Sequence, residues 1–224
     1  MDFNSTHSIS RLYQSFEMID RSSFQTVVRF FEENSDEIQS LDFDEYFDIL
    51  VAYVQALFDI GAYTKHVSMA DVVIEASIIN NVHVYKGINL YEKTLFQKSA
   101  SLYNLQRYDE SIHILSELLK INPFEPNYRA FWIKNKLRKK PGYLQVLQGL
   151  SISLFFATMI LIGVSGFYIE PFKPEFLELA YALRNILFIT GIAFIALADG
   201  IHRLSAYIQV SKLIFRSKEK LKMG

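Results

Sequence analysis

The sequence predicts an all-α protein: a helical soluble half followed by a two-helix transmembrane hairpin. Three observations carry that prediction. Apolar residues recur at the helical period through the first half, two long apolar runs follow residue 141, and basic residues flank that pair of runs. The expected organisation is an all-α domain over 1–140, a hairpin over 141–202, and a basic amphipathic tail over 203–224.

In the first half, Ile9, Leu12, Tyr13 and Phe16 fall at i, i+3, i+4 and i+7. Phe24, Val27, Val28 and Phe31 repeat that spacing, and Phe47, Leu50, Val51, Val54, Leu57 and Phe58 extend it. Each set lines one face of a helix at 3.6 residues per turn. Strands need alternation, and no run alternates long enough to predict one.

Helix pairs then repeat. Around Leu95–Pro123, Ser99 is a small residue early in one helix, followed by Leu102 and Tyr103. Tyr108, Asp109, Glu110 and Ser111 open the next helix, and Leu115, Leu118, Leu119 and Ile121 precede Asn122-Pro123. This resembles a tetratricopeptide repeat (TPR), in which small residues let two helices close and a proline ends the second. Ser99 replaces the family's glycine and Ser111 its alanine. A second copy lies upstream, with Gly61-Ala62-Tyr63 as its turn and Ala70 and Val73 on the helix that follows; it lacks the terminal proline. The resemblance covers residues ~43–123. Tyr63 and Tyr108 stand farther apart than the usual ~34-residue period, which predicts an insertion of about eleven residues near Asn80–Gly87. Residues Pro126–Lys140 read as a closing helix, with Trp132 either capping the core or anchoring at an interface.

From Pro141 to Ile169 the chain carries no charge. A helix needs about 20 apolar residues to cross roughly 30 Å of hydrocarbon, so this run is long enough. A second run goes from Phe176 to about Ile201, interrupted by Arg184 and Asp199. The predicted spans are ~143–168 and ~177–201, joined by a loop over 169–176 with two prolines that cannot continue a helix. Lys134, Lys136, Arg138, Lys139 and Lys140 precede the pair, and Arg203 with a lysine-rich tail follows it. Positive flanks place both termini on the cytoplasmic side.

Arg184 and Asp199 have two readings as intramembrane polar residues. Arg184 can snorkel toward Glu178 or Glu170 while Asp199 pairs with Arg203 at i+4, or both can face neighbouring subunits and line a polar path. Gly149, Ser153 and Ala157, at i, i+4 and i+8, form a candidate helix-packing strip. It would meet Ala193, Ala196 and Gly200 within the chain, or a second copy in a homo-oligomer. The tail, with Ile201, Leu204, Ile208 and Leu213 on one side and bases elsewhere, suits an anionic leaflet.

Chemistry is sparse. No cysteine occurs, which excludes disulfides, thiolate metal sites and a cysteine nucleophile. The histidines His7, His66, His83, His113 and His202 show no metal-ligand spacing, and no phosphate-binding or hydrolase motif appears. Arg107 and His113 form an R-x5-H string that resembles the ribonuclease motif of HEPN domains, a short pattern that also arises by chance. No cofactor and no nucleic-acid partner is expected, because bases cluster beside apolar runs and the front of the chain is acidic: twelve acids up to Asp59 face Arg11, Arg21 and Arg29. The sequence therefore reads as a non-enzymatic, membrane-anchored scaffold that binds a protein or peptide, with the bilayer as a second partner. Asp42, Asp44, Glu45 and Asp48 are its candidate partner-binding residues, favouring a basic partner. The alternative is an oligomeric effector whose hairpins permeabilise the bilayer.

Overall fold

The computed structural model describes residues 10–139 and 141–223. His7, Ile9 and Lys140, named above, lie outside the described residues. The chain divides into two compact units, Met1–Trp132 and Ile133–Gly224.

The first unit is helical. Ser10 caps α1 (Arg11–Glu17) by accepting the Tyr13 N–H at 3.1 Å, satisfying one of the four orphan donors of a helix start. Then come α2 (Phe24–Glu33), the short α3 (Ser35–Gln39), α4 (Phe43–Asp59), α5 (Tyr63–Ile79), α6 (Leu90–Asn104), α7 (Tyr108–Ile121) and α8 (Pro126–Arg138), the last crossing into the second unit. Helix α4 is central because it is apolar on two sides. Phe47, Leu50, Tyr53, Val54 and Leu57 pack with Ala70 and Val73 of α5 and Leu90 of α6. Ile49 and Ala56 turn instead to Leu12, Phe16, Val27 and Ile38 of the first three helices. Leu50, Ile49 and Leu57 are almost wholly buried, each contributing about 2 kcal/mol.

The internal repeat is visible bond for bond. After α4, the Gly61 N–H donates to the Phe58 carbonyl and the Ala62 N–H to Leu57; after α6, Gln106 donates to Tyr103 and Arg107 to Leu102. Both turns hold a positive φ, +77° at Gly61 and +60° at Gln106, so each helix stops by the same left-handed reversal. Tyr63 and Tyr108 then open the returning helices α5 and α7. Where α6 and α7 close, Ser99 and Ser111 are both fully buried and the Ser111 hydroxyl donates to the Ser99 carbonyl at 2.8 Å. A larger side chain would hold these helices apart. The expected insertion is present as an antiparallel hairpin, β1 (Val84–Tyr85) and β2 (Ile88–Asn89), reversing at Lys86-Gly87 with both residues at positive φ. These strands are too short for alternation to reveal. Trp132 caps the stack: it is buried and donates its indole N–H to Ser116 at 3.0 Å.

The second unit is a helical hairpin. Helix α9 (Gly142–Val164) runs on through a π turn (Ser165–Ile169) into the short α10 (Glu170–Phe172). Helix α11 (Leu177–Met223) follows a single 3-10 turn over Pro174–Phe176. The connection is tighter than the sequence suggested. Pro171 has no N–H to continue an α turn, and the π turn ahead of it widens the ladder, with the Glu170 N–H reaching Ser165. Helix α11 has 47 residues, about 70 Å of continuous helix, so the tail continues the span's own axis without a break.

The buried positions are Leu144, Ser151 and Thr158 of α9 and Ser165 of the π turn, spaced by seven. That spacing keeps one line of contact facing a partner helix in a left-handed pair. The predicted intramolecular strip is therefore corrected. Gly149 and Ser153 are exposed on another face, nothing lies within 4 Å of where a Gly149 Cβ would stand, and Ala157 is only half-buried. Ala196 and Gly200 are also exposed, whereas Ala180, Gly191 and Ala198 face inward. A period of four selects a right-handed crossing, and this hairpin crosses on a period of seven.

Candidate partner-binding site

Asp48 sits on the face of α4 turned toward α1 and the β-hairpin, and only 7% of it is exposed. Its carboxylate accepts four hydrogen bonds: from the Tyr13 hydroxyl at 2.9 Å, Arg21 Nη2 at 2.8 Å, Lys86 Nζ at 2.6 Å and the Tyr85 hydroxyl. Burial pushes its carboxyl pKa up, but the bonds from Lys86 and Arg21, the Arg21 charge and the Tyr13 hydroxyl outweigh that and hold it below the ordinary carboxylate value. Asp48 is thus an internal clasp between the insertion and the first helices, which corrects its expected role on a partner-facing surface. Glu45 is also engaged, accepting the Ser10 N–H at 2.9 Å. Asp42 and Asp44 stay exposed at the start of α4. The four acids do not converge on one site.

A cavity of about 180 Å³ opens beside the clasp, lined by Arg21, Phe24, Asp48, Val51, Ala52, Gln55, Tyr85, Lys86 and Lys93. It adjoins a narrow cleft between α4 and α6, which shares Val51, Gln55 and Lys93 and adds Thr94 and Gln97. Gln97 donates its amide to Gln55 at 2.9 Å across the cleft, and Gln55 donates onward to Asp59 at 2.8 Å. Equivalent first helices of successive hairpins thus stand side by side and expose a polar face. Neither Arg21 nor Lys93 was singled out as a site residue from the sequence. The only sequence signal for Lys86 was its place in the predicted insertion.

His66 occupies the α5 position matching Ser111 in α7 and is wholly buried. Its Nδ1 lies 2.9 Å from the Ser101 hydroxyl, Nε2 has no partner among the described residues, and the Phe58 ring is 5.3 Å away. Burial depresses its pKa to about 4.

In the hairpin, Ser151 donates to the Gly191 carbonyl at 2.6 Å, while Thr158 and Ser165 bond carbonyls of their own helix. A Cβ on Gly191 would stand 3.0 Å from the Phe155 ring, so the close approach depends on glycine. Asp199 accepts from Arg203 Nε at 2.8 Å, the i+4 pair expected under the snorkelling reading. Arg184 turns to Asn185 Oδ1, at 3.2 Å, and to the Tyr181 ring, rather than to Glu178 or Glu170. Arg107 forks onto Glu110 with two bonds of 2.6 Å, and His113 lies exposed six residues along, on a different side of α7. Among the described residues no group of three or more His, Asp or Glu side chains could hold a metal.

No family model and no curated protein matches the chain. It is similar to a crystallised TPR repeats protein from Bacteroides fragilis, at 12% identity over 90% of this chain and 99% of that one, with a TM-score of 0.33. The repeat in this chain rests on its own two matching turns.

Proposed function

We propose that this chain is a membrane-anchored scaffold whose TPR-like first unit holds a protein partner at the cytoplasmic face. One observation carries the reading. The two helical segments Gly142–Phe172 and Pro174–Lys220 each contain an 18-residue apolar stretch, of mean hydropathy 2.1 and 1.8, and only 11% of each stretch is buried. Side chains such as Phe156, Met159, Ile160, Ile189 and Ile192 point outward. A soluble core helix would be covered, and an apolar surface of this size is unstable in water. Lipid is the solvent that suits it, and the basic flanks favour both termini in the cytoplasm. Stacked helix pairs offer a face for a peptide, and tethering raises the effective concentration of whatever binds there. The permeabilising alternative has less support, since Asp199 is paired within its own helix and the hydroxyls of Ser151 and Thr158 are buried.

The test is fractionation of the full-length chain. It is expected to stay with membranes through an alkaline carbonate wash and to leave only in detergent, with a specific protein copurifying. A chain that is monodisperse in buffer without detergent would overturn the anchor.

A further inference from the structure

We propose that the cavity beside Asp48 takes an acidic segment of the partner, with Lys93 as its principal contact. The inference rests on the scaffold reading and adds the sign of the partner's charge. The cavity lining holds three cationic side chains, Arg21, Lys86 and Lys93, against the single carboxylate of Asp48. Arg21 and Lys86 already donate to that carboxylate. Lys93 is half-buried on α6, lines both the cavity and the α4–α6 cleft, and has no hydrogen-bonding or ionic partner among the described residues. Lys93 therefore brings to the cavity an ammonium whose charge is not already taken by Asp48, and a carboxylate brought in by a ligand supplies a charge-assisted partner for it.

The neighbours suit a peptide. Gln55 and Gln97 present amides along the cleft, while Phe24, Val51 and Ala52 give the cavity an apolar wall for the stem of a glutamate. The volume, about 180 Å³, accommodates a side chain and not a folded surface. Two of the three cations come from outside the repeat-like helices: Arg21 precedes α2, and Lys86 is on the inserted hairpin.

The experiment uses full-length protein in detergent micelles and three labelled probes: a glutamate decapeptide, a lysine decapeptide and a single-stranded oligonucleotide ten nucleotides long. The glutamate peptide is expected to bind, to weaken with added salt, and to lose about tenfold or more in affinity with Lys93→Glu, with Lys93→Gln intermediate. Unchanged helical circular dichroism in both variants separates this from misfolding. Failure of the glutamate peptide to bind, binding insensitive to Lys93, or tighter binding of either other probe would overturn the proposal. If a membrane partner still copurifies with Lys93→Glu at full yield, the scaffold stands and this site does not.

Discussion

Lys86 reaches Asp48 from 38 residues away in sequence, its ammonium 2.6 Å from Oδ1, while Arg21 holds Oδ2 at 2.8 Å from the other side. One carboxylate thereby ties the inserted β-hairpin to the chain ahead of α2. Its removal loosens both at once.

Asp48→Asn should lower stability by about 2 kcal/mol. That is less than for a deeply buried pair, because Arg21 and Lys86 both reach water. With its carboxyl pKa held below the unfolded value, Asp48 stabilises fully above the ordinary carboxylate range, and that contribution disappears as pH falls through the folded pKa. Thermal melts of wild type and variant should differ clearly at neutral pH, and the difference should shrink as the pH is taken down below the ordinary carboxylate range.

His66 gives a dependence in a separate window. Its folded pKa, about 4, lies below the unfolded value near 6.5, so the unfolded chain binds the proton first as pH falls. Stability from neutral His66 is complete above about pH 6.5 and declines down to about 4. His66→Leu should flatten the melting temperature across that interval. A variant retaining the full slope would assign it to another group.

At Gly191 of α11 even a Cβ would press on the Phe155 ring. Gly191→Leu should separate α9 from α11, at a cost of about 1–3 kcal/mol from overpacking against Phe155. Gly149→Leu, where nothing stands within 4 Å, should leave the hairpin intact. Melting in detergent, followed by loss of helical signal, distinguishes the two.

Phe156 is 61% exposed near the middle of the first apolar stretch. Phe156→Arg should disfavour insertion by about 3 kcal/mol, read as a larger fraction extracted by alkaline carbonate. Ser151→Arg would mix that effect with damage to the hairpin and is the poorer test.

Lys93 escaped the sequence reading because one lysine on a helix looks like any solvated base. Its character comes from what α4, the insertion and the residues before α2 place around it. Asp48 misled for the converse reason: among a run of acids it read as surface charge, and only packing showed its four donors. The membrane hairpin shows the same division. Length and hydropathy marked both helices, but the contact face needed the crossing geometry, which chose Leu144, Ser151, Thr158 and Ser165 over the small-residue strip.

By itself the sequence determined the all-α class, the repeated turn at Tyr63 and Tyr108, the insertion between them, and two apolar helices. All of these depend on local periodicity and on residues that stop helices, which a linear chain displays. Tertiary structure alone decided which charges meet at Asp48 and that Lys93, beside them, is not among the groups it binds. Burial and ion pairing join residues that are distant along the chain and neighbours only once α4 has gathered the first unit around itself.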